Sequence, residues 1–209
     1  MKGTCYYKVY NSFKYKKDKY LSSGKKIAIV GAGTVIFNDE GVGVYAAKYL
    51  EKNYDFDGDV TLVDGGVLGF QLMVYYQEYD RVIILDTITM ENDKAGAIYN
   101  LPSEELLGLG SYKQTAHEVE IVEMLEICSL LENFAQTSIV GIVPADIITV
   151  KSDLSCELKN EFNNFVNVAL GELDKMSETY TKKETEYTLA QIIDSYANPT
   201  AQRDLAHLK

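Results

Sequence analysis

The chain has 209 residues, of which 46% are hydrophobic and 24% charged, with a formal net charge of −11. That length suits one domain with a sizeable core, and no apolar run reaches the roughly 18–20 residues of a membrane span. Charge is split unevenly: residues 1–26 carry eight lysines against Asp18 alone, a net of +7 that leaves −18 for the remainder. An acidic body argues against nucleic acid as a partner, because phosphate binding rests on a basic face. The leader interleaves its lysines with Tyr6, Tyr7, Tyr10, Tyr15 and Tyr20 and reads as a solvated, partly ordered extension, with weak binding to RNA or an anionic surface as the alternative. Cys5, Cys128 and Cys156 are too few and too widely spaced for a disulfide framework or a Cys-rich zinc site. With no apolar h-region near the N-terminus, a cytoplasmic monomer is expected.

In chain order, Ile27–Val30 is a short apolar run ended by glycine, the form of a buried parallel strand. From Asp39 to about Tyr54, Val42, Ala46, Tyr49 and Leu50 recur at helical spacing. Val60–Val63 predicts a second strand ending in Asp64-Gly65-Gly66, and 67–76 a helix. Arg81–Leu85 predicts a third strand ending in Asp86. Ala97–Leu101 predicts a fourth, placed at an edge or turn by Pro102. A helix over about 116–131, a strand at Ser138–Val143 and a helix over about 155–176 complete the series. This alternation implies a three-layer α/β/α sandwich around a mostly parallel, mixed five-stranded sheet. The domain runs from 26 to 176, between a basic extension (1–25) and a polar tail (177–209). The tail is expected to be loosely attached, with one weakly helical patch at Tyr187–Tyr196.

Lys26 to Gly43 runs from strand through glycine turn into an acidic helix start, where a dinucleotide site would begin. Two features disagree with that use. Ile36 replaces the third glycine of Gly-x-Gly-x-x-Gly, and Asp39-Glu40 sit where a phosphate would need bare N–H groups. Carboxylates at such a turn suit a cation. Ligands gather at the carboxyl ends of strands, where Asp39, Glu40, Asp64 and Asp86 fall. Thr115-Ala-His-Glu118 has the form of a capping box, which puts His117 in a first helical turn. Glu40, Asp86 and His117 together make a two-carboxylate, one-imidazole set that suits nickel, zinc or another borderline divalent ion. Each has a structural alternative. Asn38 or Asp39 can cap the first helix, Asp39 can instead support a ligand, and Asp64-Gly65-Gly66 can be a tight turn.

Taken together, these segments resemble the hydrogenase maturation proteases over about residues 26–176. The resemblance rests on Gly31-Ala-Gly-Thr through Asp39-Glu-Gly-Val-Gly43, Asp64-Gly65-Gly66 with Gly69, Ile84-Leu-Asp-Thr-Ile88, Thr115-Ala-His117, and Val140-Gly-Ile-Val-Pro144. Thr34 stands where the family usually has Asn, and Asp153-Leu154-Ser155 where Gly-Leu-Ser is often found. The resemblance implies an endopeptidase that trims the C-terminal extension from the precursor of the [NiFe] hydrogenase large subunit. It further implies that Glu40, Asp86 and His117 engage nickel already inserted in that substrate. If a water is activated there, Asp39 or Asp64 is placed to orient it or act as base. Two other readings compete: a non-cleaving chaperone for the same precursor, and a nucleotide-binding oxidoreductase. No Gly-x-Ser-x-Gly elbow is present to supply a serine nucleophile.

Overall fold

The computed structural model describes residues 25–67, 69–90, 93–102, 123–124, 126–127 and 134–199. Strand β1 (Ile27–Ala32) is buried along its whole length and lies between two parallel neighbours, β3 (Val60–Gly66) and β4 (Arg81–Thr87). The sheet continues through β6 (Gln136–Ile142), parallel to β4, to β5 (Ile98–Pro102), which pairs antiparallel at the edge. Pro102 thus sits on an edge strand, as expected of a residue that cannot donate to a ladder. The five-stranded mixed sheet is the one that the sequence pattern predicts.

Alternate side chains of each strand feed two cores. Ile27, Ile29, Ile83, Leu85, Val140 and Ile142 face helices α1 (Val42–Asn53) and α3 (Cys156–Lys175). Ala28, Val30, Val82, Ile84 and Ile139 face Leu72, Tyr76 and Met124, with Tyr76 on the short helix α2 (Met73–Glu78). Helices on both faces make the three layers, because a sheet buried on both sides needs apolar cover on both. Residues 123, 124, 126 and 127 are helical. The rest of the helix expected at 116–131, with Thr115, His117 and Glu118, lies outside the described residues, as do residues 1–24.

Three local expectations differ from the structure. The first helix is not capped by Asn38 or Asp39: both lie in a 3-10 turn (Asn38–Gly41), and α1 begins after Gly41 without a side-chain cap. The helix expected at 67–76 is a 3-10 turn (Gly69–Leu72) followed by α2. Residues 177–199 pack on the domain: β7 (Tyr180–Lys182) pairs antiparallel with β2 (Tyr54–Phe56), and α4 (Leu189–Ala197) buries Ile192 and Ile193 in the α1–α3 core. Thr188 and Gln191 form a capping box that starts α4. Asn53 ties the segment down, donating from Nδ2 to the Tyr187 carbonyl at 3.0 Å and accepting from the Tyr187 N–H at 2.6 Å.

One buried ion, Glu172, fastens α3 to the sheet. Its Oε2 accepts from Arg81 at 2.7 Å and Ser138 at 3.0 Å, and its Oε1 from Asn100 and Lys175 at 2.5 Å each. Burial raises the carboxyl pKa, but the hydrogen bonds from Lys175, Asn100, Arg81 and Ser138 together outweigh it and leave the group at about 2, below its ordinary 4.5. A depressed carboxylate stabilises fully above its unfolded value and loses that contribution as pH falls through the folded one. Chemical denaturation of the wild type should therefore show stability declining as pH falls from about 4.5 to about 2. Glu172→Ala should cost about 3 kcal/mol at neutral pH, by leaving Arg81 buried without its partner, and should flatten the decline across that window.

Candidate functional site

The sheet order reverses at β1: the chain leaves through α1 to β3 on one side and returns through α2 to β4 on the other. Such a switch point opens a crevice at the strand ends, here between β1 and β4, where Gly31 is in register with Leu85. Asp86 follows Leu85 and is almost fully buried; its Oδ1 accepts from the Thr87 N–H at 2.7 Å. Glu40 is buried in the 3-10 turn that closes over the same strand ends.

Gly33 joins the two acids. It has φ +105°, and a β-carbon there would lie 1.8 Å from the Glu40 carbonyl oxygen and 3.6 Å from Asp86 Oδ1. Only glycine accepts that backbone and that proximity. Gly43, in the first turn of α1, repeats the constraint: its β-carbon would fall 2.0 Å from the Leu85 carbonyl oxygen. The glycines of the opening segment therefore let the chain pack on itself. Glu40's own carbonyl takes the space against Gly33 that a dinucleotide phosphate would need, which counts against the oxidoreductase.

Asp39 is fully buried, and its carboxylate gathers three backbone donors. Oδ2 accepts from the N–H groups of Ala145 and Asp146 at 2.9 Å each, and Oδ1 from the N–H of Ser155 at 2.6 Å. One side chain thus binds the 3-10 turn to the loop after β6 and to the residue that caps α3. Within that loop, Asp146 Oδ1 accepts from the N–H groups of Ile148 and Thr149 at 3.0 Å each, and bonds from Thr149 and Ile148 hold its pKa below the usual range. The sequence offers Asp39 as a cap or as support for a ligand; its partners are backbone amides, which have no sequence signature.

Asp64 lies in β3, two residues before its end, and is exposed; its Oδ2 accepts from the Tyr196 hydroxyl at 2.8 Å. Tyr196 also packs edge-on against Tyr45 of α1, with ring centroids 5.6 Å apart. Burial, and then the bond to Asp64, push the Tyr196 hydroxyl pKa up. This contact between tail and strand end was not foreseen. Among the described residues no group of three His, Cys, Asp or Glu side chains is placed to hold a metal ion, and His117 lies outside them. Of the expected ligands, Asp86 has its Oδ1 3.6 Å from where a Gly33 β-carbon would lie, and Glu40 meets Gly33 through its main-chain carbonyl; both residues are buried. Both are buried oxygen donors, and their chemistry fits a divalent ion once an imidazole joins them.

A family model described as hydrogenase maturation protease matches residues 44–172. The chain belongs to the hydrogenase maturation protease family. The match takes in Asp86 and the position of His117, and begins just after Glu40. Relatives of this maturation-protease chain include the hydrogenase expression/formation protein HupD of Bradyrhizobium diazoefficiens, 25% identical over 83% of this chain and 93% of that protein. The hydrogenase 2 maturation protease of Escherichia coli is 27% identical over 58% of this chain and 75% of its own length. Among solved structures, the hydrogenase maturating endopeptidase HybD of E. coli superposes with a TM-score of 0.71 at 23% identity, covering 76% of this chain and 98% of that one. It shows the shared fold. The [NiFe] hydrogenase maturation protease HybD of Thermococcus kodakarensis gives a TM-score of 0.58 at 25% identity, over 70% and 98% of the two chains.

The three bonds to Asp39 define a measurable contribution to this maturation protease. Asp39→Ala strands three backbone N–H groups, and each buried orphan costs about 1–3 kcal/mol. A loss of about 3 kcal/mol or more in denaturant unfolding is expected, with amide exchange accelerated at Ala145, Asp146 and Ser155. Exchange unchanged at those three amides would show that the carboxylate does not hold the loop.

Proposed function

We propose that the protein is an endopeptidase that removes the C-terminal extension of a nickel-loaded [NiFe] hydrogenase large-subunit precursor. The nickel belongs to the substrate, and Glu40, Asp86 and His117 engage it, so that an unloaded precursor is passed over. The observation that carries this reading is that Gly33 packs on the main chain of buried Glu40 and lies beside the carboxylate of buried Asp86, at the crevice where the sheet order reverses. Membership of the maturation protease family supports the reaction class, and relatives such as the hydrogenase 2 maturation protease of E. coli support a hydrogenase as the substrate.

Each residue has a distinct task in this reading. Gly33 and Gly43 let the 3-10 turn and α1 press onto the strand ends, which shields Glu40 and Asp86 from bulk water. In such a low-dielectric setting carboxylates act more strongly on a cation than at the surface. Asp39 is a positioning residue, because both of its oxygens are committed to backbone donors. Substrate-borne nickel would supply polarisation of a carbonyl or a water.

Glu40→Gln, Asp86→Asn and His117→Ala should each fold and leave purified, nickel-loaded precursor uncut. The shift of the large subunit on a denaturing gel reports this directly. Full processing by all three variants would sink the assignment. Wild-type protein that binds the loaded precursor without cutting it would be a chaperone instead.

A further inference from the structure

Eight large hydrophobic side chains are exposed among the described residues, and five of them share one end of the molecule. Ile36 and Phe37 follow β1, Val67 follows β3, and Ile148 and Val150 lie in the loop after β6. Ile148 is 83% exposed, Val150 72%, Val67 64% and Ile36 55%. Scattered apolar residues on a surface need no explanation, whereas a concentration beside a site marks an interaction surface. Two of these segments are physically joined. The Lys151 N–H donates to the Ile36 carbonyl, the Asn38 N–H donates to the Lys151 carbonyl, and Phe37 and Lys151 form an isolated parallel bridge.

This rim is also fixed in place. Asp39 holds Ala145 and Asp146, at the base of the loop, to the turn that carries Glu40, and Asp146 in turn holds Ile148 and Thr149. Neither Ile148 nor Val150 needs to be apolar for the fold, because both side chains stand in solvent. The apolar residues share their end of the molecule with acidic ones: Glu40 and Asp86 are buried there, Asp64 lies near the end of β3, and Asp146 lies in the loop after β6. The complement of that end is a polypeptide with apolar side chains flanking a positively charged centre.

We infer that Ile36, Phe37, Val67, Ile148 and Val150 form the docking rim for the C-terminal segment of the precursor, gripping it on either side of its metal centre. The inference rests on the endopeptidase reading and adds to it the surface that selects the polypeptide. Burial of an apolar side chain on docking contributes to binding of the whole segment equally in ground and transition states. Its loss therefore raises KM and spares kcat.

The test uses the full chain and the purified, nickel-loaded large-subunit precursor of the same organism. An Ile148→Glu/Val150→Glu double variant should keep the wild-type melting temperature, since exposed substitutions change stability little. Its KM should rise about tenfold or more with kcat nearly unchanged. A photo-crosslinking residue at position 148 should capture the C-terminal segment of the precursor. Wild-type KM in the double variant, with no crosslink, would overturn the docking rim while the protease stands. A crosslink without cleavage by the wild type would keep the rim and remove the protease. Neither crosslink nor cleavage overturns both, and a crosslink to residues 1–24 of the same chain shows that the basic leader fills the rim instead.

Discussion

The site depends on a contact between main chains. At Gly43 the first turn of α1 rests on the carbonyls of Leu85 and Ala32, closer than any β-carbon would permit, and at Gly33 the Glu40 carbonyl does the same. These approaches bring a helix start down onto the ends of β1 and β4. Without them the turn that carries Glu40 would ride a side-chain thickness above the sheet. The glycines that look like the remains of a phosphate-binding loop are the reason the acidic turn lies against the strand ends.

Asp39 then converts proximity into rigidity. Turn, loop and helix cap converge on one carboxylate, and a charged acceptor holds N–H donors about twice as strongly as a neutral one. The neighbouring acids in the sequence thus divide the labour. Asp39 turns inward to the backbone, so its role in the fold is separate from the one proposed for Glu40.

Much of the fold was legible in the sequence because its strands are buried on both faces. A run such as Ile27–Val30 or Arg81–Leu85 leaves little else to form, and the strand-end acid Asp86 could be found by counting forward. The 3-10 turn at Asn38–Gly41 was less legible. Helical periodicity in Val42, Ala46 and Leu50 runs smoothly back into it, and nothing local marks the break. The roles of Asp39 and Asp64 were hidden for another reason. Their donors are main-chain amides more than 100 residues away and a tyrosine in a polar tail, pairings that exist only once the chain has folded. The same applies to β2 and β7, three residues each, which define one another by pairing and by the packing of Tyr54, Phe56 and Tyr180.

Two acidic centres occupy different ends of this molecule. Glu172 reaches Arg81 at the first position of β4 and Ser138 early in β6, whereas Glu40 and Asp86 belong to the opposite tips of the same sheet. The grip that keeps α3 on the sheet is therefore remote from the loops at the tips that carry Ile148 and Val150. Loops at the tips can be exchanged, lengthened or repatterned while that anchorage stays intact. A scaffold divided in this way is suited to diversification, with one foundation carrying many different sets of tip loops.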